Sequence, residues 1–236
     1  MKKSIIAFVT LLLLFSCNKK DSKTNLHLTG NIKGLKKGTL IIQRVVDTNL
    51  VAFDTIKIDG SSTFETDLTL DSPEMLYLFL DRGVTNSLDN NIQFFAEPGK
   101  MNVETNLDSY TVSAKITGSK NQDLYQEYKK IDSRFRNENL DLIALKFKAI
   151  KSNNKILLDS LNTKQDNNTK RKYLFATNFA INNSNQEIAP FIALSEIYDI
   201  NVKYLDTIQK TMSPKVAQSL YGKKLTEYVT KIKTQK

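Results

Sequence analysis

The 236-residue chain is 40% hydrophobic and 25% charged, with a formal net charge of +9, one cysteine, one histidine and no tryptophan. This balance suits a globular body with a true core and excludes wholesale disorder. Lysines are interleaved with Asp and Glu, with no Arg-rich block and no aromatic–basic alternation, so nucleic acid is not an expected partner. A Ser–His–Asp triad or a zinc site would need supporting residues around the single histidine, and without a free cysteine a metal site is left to carboxylates alone, so no metal or cofactor is expected.

Lys2 and Lys3 precede an apolar run from Ile5 to Phe15, broken only by Thr10, and charge resumes at Lys19, Lys20 and Asp21. The run has the length of a signal-peptide core and falls short of the roughly 20 residues that span a bilayer. It ends in Leu14-Phe15-Ser16-Cys17, which resembles the lipobox of bacterial lipoproteins, although Phe15 is bulky for its place. The resemblance implies a signal peptide over 1–16, cleavage before Cys17 and acylation of its sulfur. A lone cysteine in an exported chain has no internal disulfide partner, which agrees with that use. The expected location is therefore the cell envelope, anchored by lipid to a membrane and, as for many such proteins, to the outer membrane on its periplasmic or surface face. Without residues 1–16, 220 residues remain, and the loss of Lys2 and Lys3 lowers the charge to +7. Residues 17–25 are polar and read as a tether.

From Leu26 to Thr117 the hydrophobic period is two. Strands are expected over Leu26–Ile32, Thr39–Val46, Val51–Ile58, Thr63–Leu70, Met75–Leu80, Ile92–Ala96, Met101–Thr105 and Tyr110–Ile116. Met75–Leu80 (MLYLFL) is almost wholly apolar, as for a strand covered on both faces. Asp59-Gly60-Ser61-Ser62 and Glu97-Pro98-Gly99-Lys100 are turn signals, the second read as a hairpin turn with Gly99 at positive φ. About eight short strands without intervening helices predict an antiparallel β-sandwich or open barrel over residues 26–118.

At Thr117-Gly118-Ser119 the period becomes helical, with Ser119 as the cap of a helix carrying Leu124, Tyr128, Ile131 and Phe135. Further helices are expected over Leu140–Ile150, Lys155–Leu161, Thr169–Ile181, Ala189–Tyr198 and Val202–Lys210. A last one starts at Ser213-Pro214 and presents Val216, Leu220, Tyr221, Leu225, Tyr228, Val229 and Ile232 as one stripe. Strands first and helices over 119–236 predict an α+β chain in two segregated layers or subdomains.

Four motifs stand in order along the strand half. They are LTGNIKGLKKGTL, FDTIKIDGSSTFE, IQFFAEPGKMNV and ITGSKNQDLYQEY, with Gly30, Gly60, Phe64, Glu97, Gly99, Gly118, Ser119 and Asn121 among the matching positions. Together they resemble a domain of unknown function found in envelope lipoproteins of Gram-negative bacteria, where it often precedes a thioredoxin-like, thiol–disulfide interchange domain. Here the sequence lacks the Cys-x-x-Cys pair of that second domain, so the resemblance does not carry redox chemistry with it.

Among candidate site residues, His27 reads as a solvent-facing strand residue, and Asp54 and Asp59 as turn or cap residues. Asp47-Thr48-Asn49 offers too few oxygens for calcium. The polar loop from Asp81, Arg82 and Gly83 to Asn91, which includes Asn86, is the best candidate binding loop, with Glu97 as a further ligand contact. Lysines 223, 224, 231 and 233 beside the final stripe suit solvent, with a membrane surface or a binding partner as the alternatives. The expectation is a non-enzymatic, lipid-anchored binding or assembly module with an envelope protein as partner. The alternative that the resemblance implies is an accessory subunit working with a separate thioredoxin-like protein. A hydrolase would need two carboxylates converging in one pocket.

Overall fold

The computed structural model describes residues 24–82 and 88–234. Cys17, the segment before it and Asn86 lie outside the described residues. Eight strands come first: β1 Leu26–Lys33, β2 Lys37–Val46, β3 Asn49–Asp59, β4 Thr63–Leu68, β5 Glu74–Asp81, β6 Asn91–Ala96, β7 Gly99–Asn106 and β8 Lys115–Thr117. They form two four-stranded sheets, ordered β4-β1-β7-β8 and β3-β2-β5-β6. The inner faces meet in one core that includes Leu28, Ile42, Leu78, Phe94 and Val103. The arrangement is a sandwich with open edges, as the alternation predicts.

Three features of the sandwich depart from the sequence reading. First, β1 and β7 pair in parallel over their full length, from Leu26↔Gly99 to Lys33↔Asn106. All other ladders are antiparallel. The parallel pair is closed by strands of the facing sheet, so it needs no crossover helix. Second, Glu97-Pro98-Gly99 is no hairpin turn, because β6 and β7 belong to different sheets. Gly99 does take the expected positive φ, at 134°. Third, residues 110–113 form turns, and only Lys115–Thr117 is strand. Tyr110 is buried and donates its hydroxyl to the Leu78 carbonyl at 3.1 Å, whereas Val112 is 91% exposed.

The helices are α1 Lys120–Lys151, α2 Lys155–Asn182, α3 Ile188–Glu196, α4 Val202–Thr211, α5 Pro214–Ala217 and α6 Leu220–Thr234. α1 and α2 run unbroken where gaps are expected near residues 136–139 and 162–168. Polar residues interrupt the apolar period there, yet they zip the two helices together. Asn168 Nδ2 donates to the Phe135 carbonyl at 2.8 Å, and Gln165 Nε2 donates to Asn139 Oδ1 at 2.8 Å. The last expected helix is instead broken after Ala217, where a Cβ on Gly222 would overlap the Val216 carbonyl oxygen. Its stripe is consumed by packing: Val216, Leu225 and Val229 are buried in the helical core, with Tyr221, Tyr228 and Ile232 against them.

β5 and β6 explain how the two halves join. Leu76, Leu78, Leu80, Ile92 and Phe94 face the sandwich core. Met75 and Phe95, on the opposite face, enter the helical core with Leu124, Tyr125, Tyr128, Ile192 and Leu225, and Tyr77 packs against it. Phe95 stands edge-on to Phe191, with centroids 5.5 Å apart. The layers are therefore three, sheet on sheet on helices, one more than a two-layer reading gives, while strands and helices are segregated as expected. The apolar run MLYLFL is the sequence trace of that double coverage.

Gly118 makes the passage from β8 to α1 at φ +96°, and a Cβ there would overlap the Lys100 carbonyl oxygen. Gly60 has a similar φ of +87° with open space around it. Gly118→Ala is expected to cost more than about 2 kcal/mol and Gly60→Ala about 1 kcal/mol, read from urea midpoints. Equal losses would show that overlap with Lys100 plays no part.

Candidate functional site

Two neighbouring features occupy the junction between β6 and α1. The first is a polar hub. Ser119 caps α1, its hydroxyl oxygen accepting the Gln122 N–H at 3.0 Å and donating to the Phe95 carbonyl at 2.9 Å. Glu97 accepts the Lys120 N–H at 2.6 Å and the Asn121 side-chain amide at 2.7 Å, placing a carboxylate on the positive end of α1. Asn121, 1% exposed, also donates to Glu187 Oε2 at 3.0 Å and accepts the Ile188 N–H at 2.8 Å. Lys215 lies 3.3 Å from the buried Glu187 carboxylate. One asparagine thus ties the β6–β7 connection to the starts of α1 and α3.

The second feature is a groove of about 490 Å³ along the free edge of β6. Asn91, Ile92 and Gln93 form its floor, residues from Thr111 to Ile116 one wall, and Gln122, Gln126 and Lys129 of α1 the other. Gln122, Gln126 and Lys129 follow the i, i+4, i+7 spacing that puts them on one helix face. Phe95 and Gln93 are two residues apart on this edge strand, so their main-chain groups point the same way, outward. At Phe95 the N–H donates to Gln122 Oε1 at 2.7 Å and the carbonyl is taken by Ser119, whereas at Gln93 they open on the groove. Tyr125 donates to Gln93 Oε1 at 3.2 Å, and its own pKa is pushed up to about 12 by burial. Lys129 sits 5.0 Å from the Tyr125 ring centroid, and burial, then Arg136, lowers its pKa.

A third cluster, deeper in the helical layer, joins two carboxylates through one lysine. Lys172 Nζ lies 3.5 Å from Asp132 and 3.6 Å from Glu196, and Arg136 lies 2.8 Å from Asp132. Asp132 is fully buried beside two cations, out of reach of a substrate, and the cluster bonds α1, α2 and α3 together. Burial, with Asp132 close by, raises the Glu196 carboxyl above its ordinary value.

Of the expected binding residues, Asn86 lies outside the described residues, and the others fall in different places. Asp81 is exposed at the end of β5, and Arg82 donates to the Leu107 carbonyl at 2.9 Å. Asn91 lines the groove, but Glu97 lies at the opposite end of β6, about 20 Å along the strand, and serves the hub. His27 faces solvent beside Asp67, its Nδ1 2.8 Å from the carboxylate. Asp54 accepts the Thr66 hydroxyl. Among the described residues no group of three His, Cys, Asp or Glu side chains is placed to hold a metal, and no helix is long and apolar enough to cross a membrane.

A two-sheet sandwich whose second sheet is roofed by the helices that follow it defines the class of protein. Residues 26–125, from β1 into the first turns of α1, match the family described as "Domain of unknown function (DUF4369)", and this segment is such a domain. Neither curated proteins nor solved structures yield a match. The matched segment ends just past Ser119, Asn121 and Gln122, so it includes the hub residues that receive Phe95 and Glu97.

Asn121→Ala removes one donor and one acceptor and leaves the Ile188 N–H and buried Glu187 short of partners. The expected loss is about 2–3 kcal/mol by urea denaturation. For Glu196, the folded state holds its proton above the ordinary value of 4.5, so it binds more protons than the unfolded chain just above that pH. Its contribution to stability therefore falls as pH rises through that window. Glu196→Gln should shrink the difference between urea midpoints measured at about pH 5 and about pH 7.5. An unchanged difference would contradict the assignment.

Proposed function

We propose that this protein is a lipid-tethered component of the cell envelope whose folded body binds another envelope protein and performs no chemistry itself. The observation that carries the reading is the composition of the groove beside β6. Among apolar residues such as Ile92 and Ile116 it carries four carboxamides (Asn91, Gln93, Gln122 and Gln126), the hydroxyl-bearing Tyr77 and Thr111 and one ammonium, Lys129, and Val112 stands exposed on its rim. Carboxamides both donate and accept, and they pair with the amides of a peptide main chain. An edge strand with one outward main-chain pair adds the means to align an extended segment. Such a lining offers selective hydrogen bonding and includes no carboxylate, histidine or cysteine.

The tether rests on Leu14-Phe15-Ser16-Cys17 behind the short apolar run. Two signals, or several acyl chains, make membrane attachment stable, and a triacylated Cys17 would meet that need alone. Cys17→Ala should abolish palmitate labelling and release the protein from membranes or stall its maturation; full labelling of the variant would contradict the anchor. For binding, a photo-crosslinker in place of Gln126 should yield a discrete adduct in intact cells, one that weakens with Lys129→Glu. A crosslinker at Lys231, on the exposed side of α6, should not yield it. Identical adducts from both positions would overturn the groove as the binding site. Recovery of a thioredoxin-like protein from Gln126 would instead favour an accessory role in a thiol–disulfide system.

A further inference from the structure

The far end of the α1–α2 hairpin has a surface that the fold does not use. Between Leu142 and Leu158 the chain carries Lys146, Lys148, Lys151 and Lys155 and no acidic residue. A small core of Leu142, Ala149 and Leu161 holds the helices together here. Beside that seam Leu140, Ile143, Phe147 and Ile150 recur at spacings of three, four and three, one continuous face of α1. Leu140 is 62% exposed, Phe147 68% and Ile150 54%, and Ile156 at the start of α2 is 87% exposed. Lys146 is held by Gln165 at 2.7 Å. No ion pair among the described residues involves Lys148, Lys151 or Lys155.

Bare aromatic and aliphatic side chains beside unpaired lysines define what can cover this tip. Burying it against the same surface of a second copy would bring four lysines from each chain together, which charge repulsion opposes. Water leaves the apolar side chains unsheltered, and a neutral apolar partner leaves the lysines without counter-charge. An anionic lipid surface answers both needs, acyl chains for the apolar side chains and headgroups for the ammonium ions. We propose that the α1–α2 tip is a membrane-surface contact. Phe147, Ile150 and Ile156 enter the acyl boundary of a bilayer, while Lys148, Lys151 and Lys155 rest on anionic headgroups.

The contact is remote from the point where the N-terminal segment joins the fold. The Asn25 carbonyl accepts the Gly99 N–H at 2.8 Å, and the adjoining Glu97 binds the first turn of α1. The 32 residues of α1 then carry the tip about 48 Å away. The tip is thus far from the start of β1, and it is separate from the groove beside β6.

The chain contains no tryptophan, so Phe147→Trp introduces a single reporter at the tip of the full-length protein. Its emission should shift to the blue with vesicles of phosphatidylcholine and phosphatidylglycerol, and brominated acyl chains should quench it. Phosphatidylcholine alone should produce neither effect. Val112→Trp, on the rim of the groove, should stay at its aqueous emission in both cases. Replacing Lys148, Lys151 and Lys155 by Gln in the Phe147→Trp background should weaken partition by about fivefold per lysine. The proposal is overturned if the tip reporter does not respond to anionic vesicles, or responds equally to neutral ones. It is also overturned if the emission shifts with protein concentration in the absence of lipid, which would assign the surface to a second copy.

Discussion

Everything in this molecule follows from one strand pair that is apolar on both faces. β5 and β6 send Leu76, Leu78, Leu80 and Phe94 into the sandwich, and Met75 and Phe95 the other way. Fully burying side chains of this size stabilises by about 1.5–3 kcal/mol each, and leaving the outer ones in water would forfeit that gain. The sandwich therefore requires a roof, and the helices that follow it in sequence supply one. Tyr128 stacks on Phe175 at 5.4 Å, and Phe191 and Tyr221 close around Phe95, so aromatic contacts dominate the roof's inner surface.

Such a roof must also satisfy the polar groups it covers. The free edge of β6 would bury the main-chain N–H and carbonyl of Phe95 without partners, at a cost of about 1–3 kcal/mol each. Gln122 and Ser119 take both, and Glu97 and Asn121 then fix the direction in which α1 leaves the sheet. Where this sealing ends, at Gln93, the groove begins. Site and scaffold are successive stretches of one edge, the first covered by the α1 N-terminus and the second left open.

The sequence announces the parts of this architecture that depend on periodicity. Alternation located seven of the strands to within a few residues, the Ser119 cap started α1 correctly, and MLYLFL signalled double coverage. What periodicity misses is pairing between distant segments. The parallel β1–β7 ladder leaves no local trace, because a strand reads the same whichever neighbour it takes. Residues 110–116 alternate well in sequence, yet Tyr110 is bound through its hydroxyl and Val112 is left outside. The apolar pattern understates the lengths of α1 and α2, because Asn139, Gln165 and Asn168 interrupt it while zipping the hairpin. The site was legible only in part. Asn91, at the end of the polar loop, lines the groove, but Gln122, Gln126 and Lys129 have no sequence signal of their own, because the apolar residues between them dominate the helical period. Glu97 reads from the sequence as a turn residue or a ligand contact, whereas its carboxylate holds the start of α1 in place, a long-range role with no local trace.

If the roof is an obligatory layer of the sandwich, the two cannot open independently. Native-state hydrogen exchange measured residue by residue in low denaturant tests this most directly. The amides of Ile92 to Ala96 in β6 and of Leu124 to Tyr128 in α1 should share one opening free energy and the same denaturant dependence. Helical amides that exchange through a lower-energy opening while β6 stays protected would contradict the account.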